Sequence, residues 1–284
     1  MRMSSDSIND PRAARVSRYG VRMMKTLLVV GIVAMSAWAQ GPSDPPPIIQ
    51  LTRKPGIGGK PIRPYGDAKA QVDVVGLTAM TGPPETWLVE LHLNYASLED
   101  LDRGLTAVTP LRTDGDASDP FRDDVLAPSR TMIGTYQQNW SYRPEQAIQM
   151  FRRARYFVVS VYRIRAGTEA DYGELVKLRR ASQDSVNLDR PDICYEVISG
   201  EPSGTYIFLS PVASLRSFDE GVADTPVYAE GLASARSKAR AKVAPDSELS
   251  REHLLFRVEP RLSYVSDDFA ASDPDFWRPK PGGR

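Results

Sequence analysis

The 284-residue sequence predicts an α+β chain built from two ferredoxin-like β-α-β-β-α-β units in tandem. Three observations lead there. Tyr156–Ile164 is apolar on both faces, with Phe157, Val159 and Val161 against Tyr156, Val158, Tyr162 and Ile164, which marks a strand covered on both sides. Hairpin turns recur at Thr81-Gly82-Pro83-Pro84-Glu85 and Gly200-Glu201-Pro202-Ser203-Gly204. Finally, two short segments repeat in the same order. Ala96-Ser97-Leu98-Glu99-Asp100-Leu101-Asp102 matches Ala213-Ser214-Leu215-Arg216-Ser217-Phe218-Asp219 at a spacing of 117, and Ser141-Tyr142 matches Ser263-Tyr264 at a spacing of 122.

The elements follow in order. The first unit, residues 48–142, takes strands over 48–53, 72–80, 86–93 and 131–137, with a shortened first helix because Gly56-Ile57-Gly58-Gly59-Lys60-Pro61 is a poor helix former. Residues 143–155 form a connecting helix. The second unit, residues 156–264, begins with Tyr156–Ile164. Thr168 then caps a helix with Asp171 at the fourth position and Tyr172, Leu175, Val176 and Leu178 turned to a core. Strands over 193–199 and 205–210 follow, the second ended by Pro211. Ser214 caps a short helix, a longer one spans about 227–243, and the last strand covers about 253–259. Residues 40–47 are a Pro-rich leader and 265–284 a C-terminal tail.

Residues 1–39 read as a signal peptide with an extended basic N-terminal region. Lys25 precedes the apolar run 27–35, and Ala37-x-Ala39 places cleavage before Gln40. The run is short for a membrane span, synthesis could begin at Met1 or Met24, and no cysteine follows to carry a lipid. The expectation is a soluble periplasmic or extracellular protein without a membrane span after cleavage. The whole chain balances 36 basic against 36 acidic residues. Residues 1–39 hold six basic and two acidic ones, so the mature chain carries 30 against 34, a formal charge of −4. That excludes a nucleic-acid partner recognised by a basic face, and the run Arg236, Lys238, Arg240, Lys242 reads as a solvated helix. One cysteine and two histidines predict no metal site. Cys194 reads as a small buried hydrophobe.

Chemistry is sparse. On the strand over 86–93, Glu90 and His92 share one face, opposite Trp87, Val89, Leu91 and Leu93, and a carboxylate beside an imidazole is what a general base requires. These two are the candidate catalytic residues. Tyr156, Tyr162, Tyr195 and Tyr206 lie on strands and are the candidate ligand-binding residues, aromatic walls with phenolic handles; the alternative is that they fill the core. His253 reads as a surface histidine. Gly56-Ile57-Gly58-Gly59 has neither P-loop nor Rossmann spacing.

Ala154-Arg155-Tyr156-Phe157, Arg163-Ile164-Arg165-Ala166-Gly167, Gly204-Thr205-Tyr206, Leu262-Ser263-Tyr264-Val265 and the stretch from Asp273 to Lys280 resemble the dimeric α/β-barrel superfamily, with its antibiotic-biosynthesis-monooxygenase-like and NIPSNAP-like domains. Within it the chain looks like exported bacterial proteins carrying two such domains. The resemblance implies two antiparallel four-stranded sheets facing each other in a barrel with helices outside, closed within one chain or in a homodimer. It implies no particular reaction, since the superfamily holds oxygenases, haem enzymes and non-enzymes. The apolar odd face of the strand over 86–93 is then expected beneath helices, turning Glu90 and His92 into the space between the sheets. No cofactor is expected, haem included, because no haem-binding motif is present. The leading reading is a non-catalytic protein that binds a small apolar or aromatic ligand or a protein partner. A cofactor-independent monooxygenase-like or isomerase-like enzyme using Glu90 and His92, and a structural envelope protein with a filled barrel, are the alternatives. If the first 39 residues are an export signal, N-terminal sequencing of the secreted protein starts at Gln40; a mature chain that keeps residues 27–35 contradicts it.

Overall fold

Strands dominate because apolar residues recur with period two over eight short segments, and each segment finds two neighbours. The computed structural model describes residues 44–57, 72–92, 95–102, 129–219 and 247–279, with isolated helical positions between 226 and 237. The expected signal peptide, the shortened first helix beyond Ile57 and the basic run from Arg236 lie outside the described residues. The strands are β1 (Ile48–Pro55), β2 (Val72–Ala79), β3 (Glu85–His92), β4 (Arg130–Tyr136), β5 (Tyr156–Ile164), β6 (Ile193–Ser199), β7 (Thr205–Val212) and β8 (Glu248–Val258). The helices are α1 (Pro144–Phe151), α2 (Glu169–Ser185), α3 (Asp267–Ala270) and α4 (Pro274–Trp277). Among the described residues no helix is long and apolar enough to cross a membrane.

All strand pairs are antiparallel, and the ladder closes in the order β1-β3-β2-β8-β5-β7-β6-β4. The segments β4-β1-β3-β2 and β8-β5-β7-β6 each show the strand order of a ferredoxin-like sheet. They join where β2 meets β8 and where β4 meets β6, so neither sheet keeps an edge there. Closure assigns each strand an inner and an outer face. Ile49, Leu51, Val75, Leu77, Trp87, Val89, Leu91 and Met132 meet Phe157, Val159, Tyr195, Ile207, Leu209, Leu254 and Phe256 in one buried cluster between the sheets. At one end of the barrel Phe151, Phe269 and Trp277, from α1, α3 and α4, join that cluster. At the other end Arg53 lies 4.8 Å over the Trp87 ring and is forked onto the Glu85 carboxylate. The space between the sheets is packed with side chains.

Several local expectations change. β8 starts at Glu248, five residues before His253, because β5 offers partners along its whole length. Pro211 does not end β7. Register with β6 stops at Ile193↔Leu209 while pairing with β5 continues to Val212. Gly204 bonds to Ile164 on β5, so alternation turns the Pro211 nitrogen away from β5, to a side where no donor is needed. The Thr168 hydroxyl does not cap α2; it donates to the Arg165 carbonyl at 2.7 Å. Residues 265–278, expected as part of the C-terminal tail, pack against the barrel. The Trp277 indole and the Ser272 hydroxyl both donate to the Arg152 carbonyl at the end of α1, at 2.7 and 2.9 Å, and the Ser266 N–H donates to Asp73 at 2.6 Å.

Two glycines give a paired test. A Cβ at Gly76 would stand 2.6 Å from the Leu262 Cβ and under 3 Å from its backbone, whereas one at Gly173, inside α2, would meet Trp140 at an ordinary 3.5 Å. Urea unfolding should show Gly76→Ala destabilising by about 1–3 kcal/mol and Gly173→Ala stabilising by up to about 1 kcal/mol.

Candidate functional site

The closed ladder decides where the candidate residues point. Leu91 pairs with Ile49 and Asp73, and Trp87 with Arg53 and Leu77, all on the inner face, so Glu90 and His92 lie on the outer face. This corrects the expected orientation. A uniformly apolar face is most stabilised in the driest place, which in a closed barrel is its interior, and the mixed face is left outside.

On that outer face the pair is nonetheless shielded. His92 is only 4% exposed and Glu90 is half-buried. Gln50, opposite Glu90 across β1, donates from Nε2 to Glu90 Oε1 at 3.2 Å. The second carboxylate oxygen stands 3.8 Å from His92 Nε2, beyond hydrogen-bond reach. Tyr95 lays its ring against the imidazole with centroids 4.9 Å apart and planes 12° from parallel. Among the described residues neither ring nitrogen of His92 has a hydrogen-bond partner. Burial pushes Glu90 up to about 6, opposed by the Gln50 hydrogen bond, and pushes His92 down to about 4. At neutral pH the imidazole is therefore uncharged and Glu90 is an anion.

Beside the pair runs an open groove of about 360 Å³ lined by Pro47, Ile48, Ala96, Ser97, Leu98, Thr135 and Tyr136. Ile48 is next to Ile49, which pairs with Leu91, so the continued register sets Ile48 across from His92. Leu98 stands 47% exposed on the groove wall. The Ser97 hydroxyl and the Asp100 carboxylate hydrogen-bond each other at the start of a helical turn over 98–102, which fixes that wall. Sequence reasoning singled out Glu90 and His92 but missed Gln50, Tyr95 and the groove. Gln50 carries a signal, a lone amide among Ile48, Ile49 and Leu51, but only the β1–β3 register reveals its partner.

The four candidate tyrosines do not come together. Tyr195 alone of the four points inward, its hydroxyl donating to the Pro46 carbonyl at 3.2 Å. Tyr162 and Tyr206 lie outside the barrel beneath α2, in a cluster with Tyr172, Val176 and Phe208, and Tyr206 stacks on Trp140 at 4.2 Å. Tyr156 is half-buried on the same outer face of β5. Cys194 is fully buried in the cluster under α2, where burial raises its thiol well above the ordinary range. His253 is exposed, with Nδ1 2.8 Å from the Ser160 hydroxyl. No group of three or more metal-ligating side chains occurs among the described residues.

The two shifts act in opposite directions on stability. His92, depressed from 6.5 to about 4, withdraws up to about 3 kcal/mol as pH falls through that window, because the unfolded chain takes the proton first. Glu90, raised from 4.5 to about 6, returns up to about 2 kcal/mol as pH falls from 6 to 4.5, because the folded chain takes that proton first. Urea titrations between pH 7 and 4 should therefore show Glu90→Gln steepening the acid loss and His92→Gln reversing it into a gain.

No family model matches the sequence, and no curated protein matches it. Solved structures give distant likenesses. An anthrone oxidase-like protein is 12% identical with a TM-score of 0.44, covering 75% of this chain and 91% of its own. A candidate monooxygenase from Lactobacillus acidophilus is 13% identical at 0.41, covering 78% and 99%. A chlorite dismutase variant from Candidatus Nitrospira defluvii is 11% identical at 0.40, covering 75% and 92%. The expectation that this chain carries no cofactor, haem included, is corrected here, because chlorite dismutases, which are haem proteins, are among its structural likenesses. The described residues here do not fit a haem: the space between the sheets is filled, the His92 ring is covered by Tyr95, and the nitrogen of His253 faces Ser160.

Proposed function

We propose that this chain binds a small ligand with an apolar or aromatic body on the outer face of its first sheet, in the groove between Ile48 and Leu98 beside Glu90 and His92. The observation that carries this reading is the division of space. The interior between the sheets is packed from Trp87 and Phe256 to Phe269, whereas the groove is open and largely apolar, and one of its lining residues, Ile48, stands across from His92 in the continued register. Binding sites commonly pair an apolar surface with a few placed polar groups. Export as a soluble periplasmic or extracellular protein belongs to the same proposal and is supported by the basic, apolar and Ala-x-Ala segments of residues 1–39.

A second reading, a proton-transferring enzyme of monooxygenase-like or isomerase-like chemistry, is favoured by one observation. Glu90 at about 6 is a carboxylate poised near neutrality, held by Gln50 on one oxygen and free to accept a proton on the other. An enzyme of this kind needs substrate within reach of that oxygen, so this reading requires the site to extend from the groove past Ile48 to Glu90.

A fluorescence titration with 1-anilinonaphthalene-8-sulfonate tests the common claim. Saturable binding at one site per chain is expected, weakened about tenfold by Leu98→Glu, which loses apolar contact worth about 1.4 kcal/mol and adds a charge to an exposed wall. Binding that Leu98→Glu leaves unchanged, or no saturable binding, overturns it.

A further inference from the structure

We infer that the chain carries a second binding site, along α2 beside Trp140, for an elongated zwitterion: a short peptide of about three residues with both termini free. An open groove of about 500 Å³ runs there, separate from the groove of the first sheet, between the turn Gln138–Trp140 and the stretch of α2 from Glu169 to Arg180. Its two ends differ in charge. Glu169 and Glu174 line the part nearer the start of α2, and Lys177 and Arg180 line the part further along. Glu174 and Lys177 answer each other at 2.6 Å in the middle, so the charges left for a ligand are the carboxylate of Glu169 and the guanidinium of Arg180. Glu169 gives one oxygen to the Gly167 N–H at 3.1 Å, and Arg180 gives one nitrogen to the Asn139 carbonyl at 2.7 Å; each keeps capacity for more. The helix dipole does not account for this order of charges, because α2 has no basic residue in its last turn, where the dipole would favour one.

The dimensions select the ligand. Eleven positions along α2 separate Glu169 from Arg180, about 16 Å at the helical rise. An ion-pair contact of about 3 Å at each end leaves about 10 Å, which about three extended residues span. A single amino acid is too short to meet both ends. The ammonium of the peptide meets Glu169 and its carboxylate meets Arg180, whose planar fork suits a carboxylate. Between the ends the groove is aromatic and bare. Trp140 rests on Tyr206 with ring centroids 4.2 Å apart, which holds the indole in place. Gly173 stands against the Nε1 edge of that indole. A Cβ there would meet it at 3.5 Å, an ordinary contact, so packing admits alanine, and the interior of a helix favours alanine over glycine. What the glycine provides is room beside the indole for the middle of the peptide. An apolar middle residue suits that aromatic wall and sets no charge against the balanced Glu174–Lys177 pair.

The test is calorimetry on the full chain at about pH 7.5, where a peptide carries both terminal charges. It compares the tripeptide Ala-Phe-Ala with free termini, the same peptide acetylated at its N-terminus, and the same peptide amidated at its C-terminus. The free peptide is expected to bind at one site per chain, at least about tenfold more tightly than either blocked form, as the loss of one charge-assisted contact implies. Glu169→Gln should erase the preference over the acetylated form alone, and Arg180→Gln the preference over the amidated form alone. Gly173→Ala, which fills the room beside the indole without harming the fold, should weaken the free peptide about tenfold. Leu98→Glu, in the other groove, should leave its affinity unchanged. Equal affinity for the three peptides, or binding of none, overturns the assignment, and this comparison uses the unaltered chain, so it stands even if a variant does not fold. An affinity that Gly173→Ala leaves unchanged overturns it as well. So does binding lost in Leu98→Glu, which would seat the peptide in the groove of the first sheet.

Discussion

Filling a closed ladder is the constraint on which everything else in this molecule depends. Once β2 pairs with β8 and β4 with β6, every strand has one face turned toward a space that water cannot usefully occupy. That space is filled by Trp87, Phe157, Tyr195 and Phe256 with branched aliphatic residues between them. Burial of this cluster, at about 25 cal/mol per Å² of apolar surface, outweighs any preference of a single strand, so the orientation of each side chain follows from its parity within its strand. The ends are closed differently. One is stoppered by Phe269 and Trp277, anchored through the Arg152 carbonyl; the other is closed by the Arg53–Glu85 fork above Trp87.

The positions of the strands were legible in the sequence, and their faces were only partly so. Tyr156–Ile164 and Ile193–Ser199 have the limits that periodicity predicts, because β-branched runs between turn residues leave little freedom. Strand ends at Pro211 and Glu248 were not legible, since they depend on how far a neighbouring strand extends, which is a property of the register. The same holds for face assignment. Period two shows that Glu90 and His92 share a side opposite Trp87 and Val89, but not which side is inside. In a two-sided strand both faces are covered, one by the opposite sheet and one by outer elements, and the driest takes the purely apolar set. Residues 265–278 read only as a C-terminal tail because two four-residue helices carry too little periodicity to announce themselves, although Phe269 and Trp277 are each only 3% exposed.

The inversion of β3 relocates the chemistry. Were Glu90 and His92 turned inward, they would be an acid–base pair among aromatic rings, where an ionised carboxylate is hard to keep without a partner. On the outer face they retain a neighbour in Gln50, partial access for Glu90 and an adjoining groove, while Tyr95 still withholds water from the imidazole. The tyrosines follow the same logic in reverse. Tyr162 and Tyr206 are outside, but α2 covers them, so they build a second apolar layer. Of the two outer faces, the described part of the first carries the buried His92 imidazole beside Glu90, and the second carries the aromatic cluster of Tyr162, Tyr172, Tyr206 and Phe208.

The central claim, that ligands meet this chain on the outer face of the first sheet because the barrel interior is already occupied, is tested most directly by a crystal structure of the protein soaked with an apolar aromatic probe such as naphthalene. The account predicts density for the probe against Ile48 and Leu98, with Trp87 and Phe256 in place. Density between the sheets, with Trp87 or Phe256 displaced to admit the probe, would contradict it.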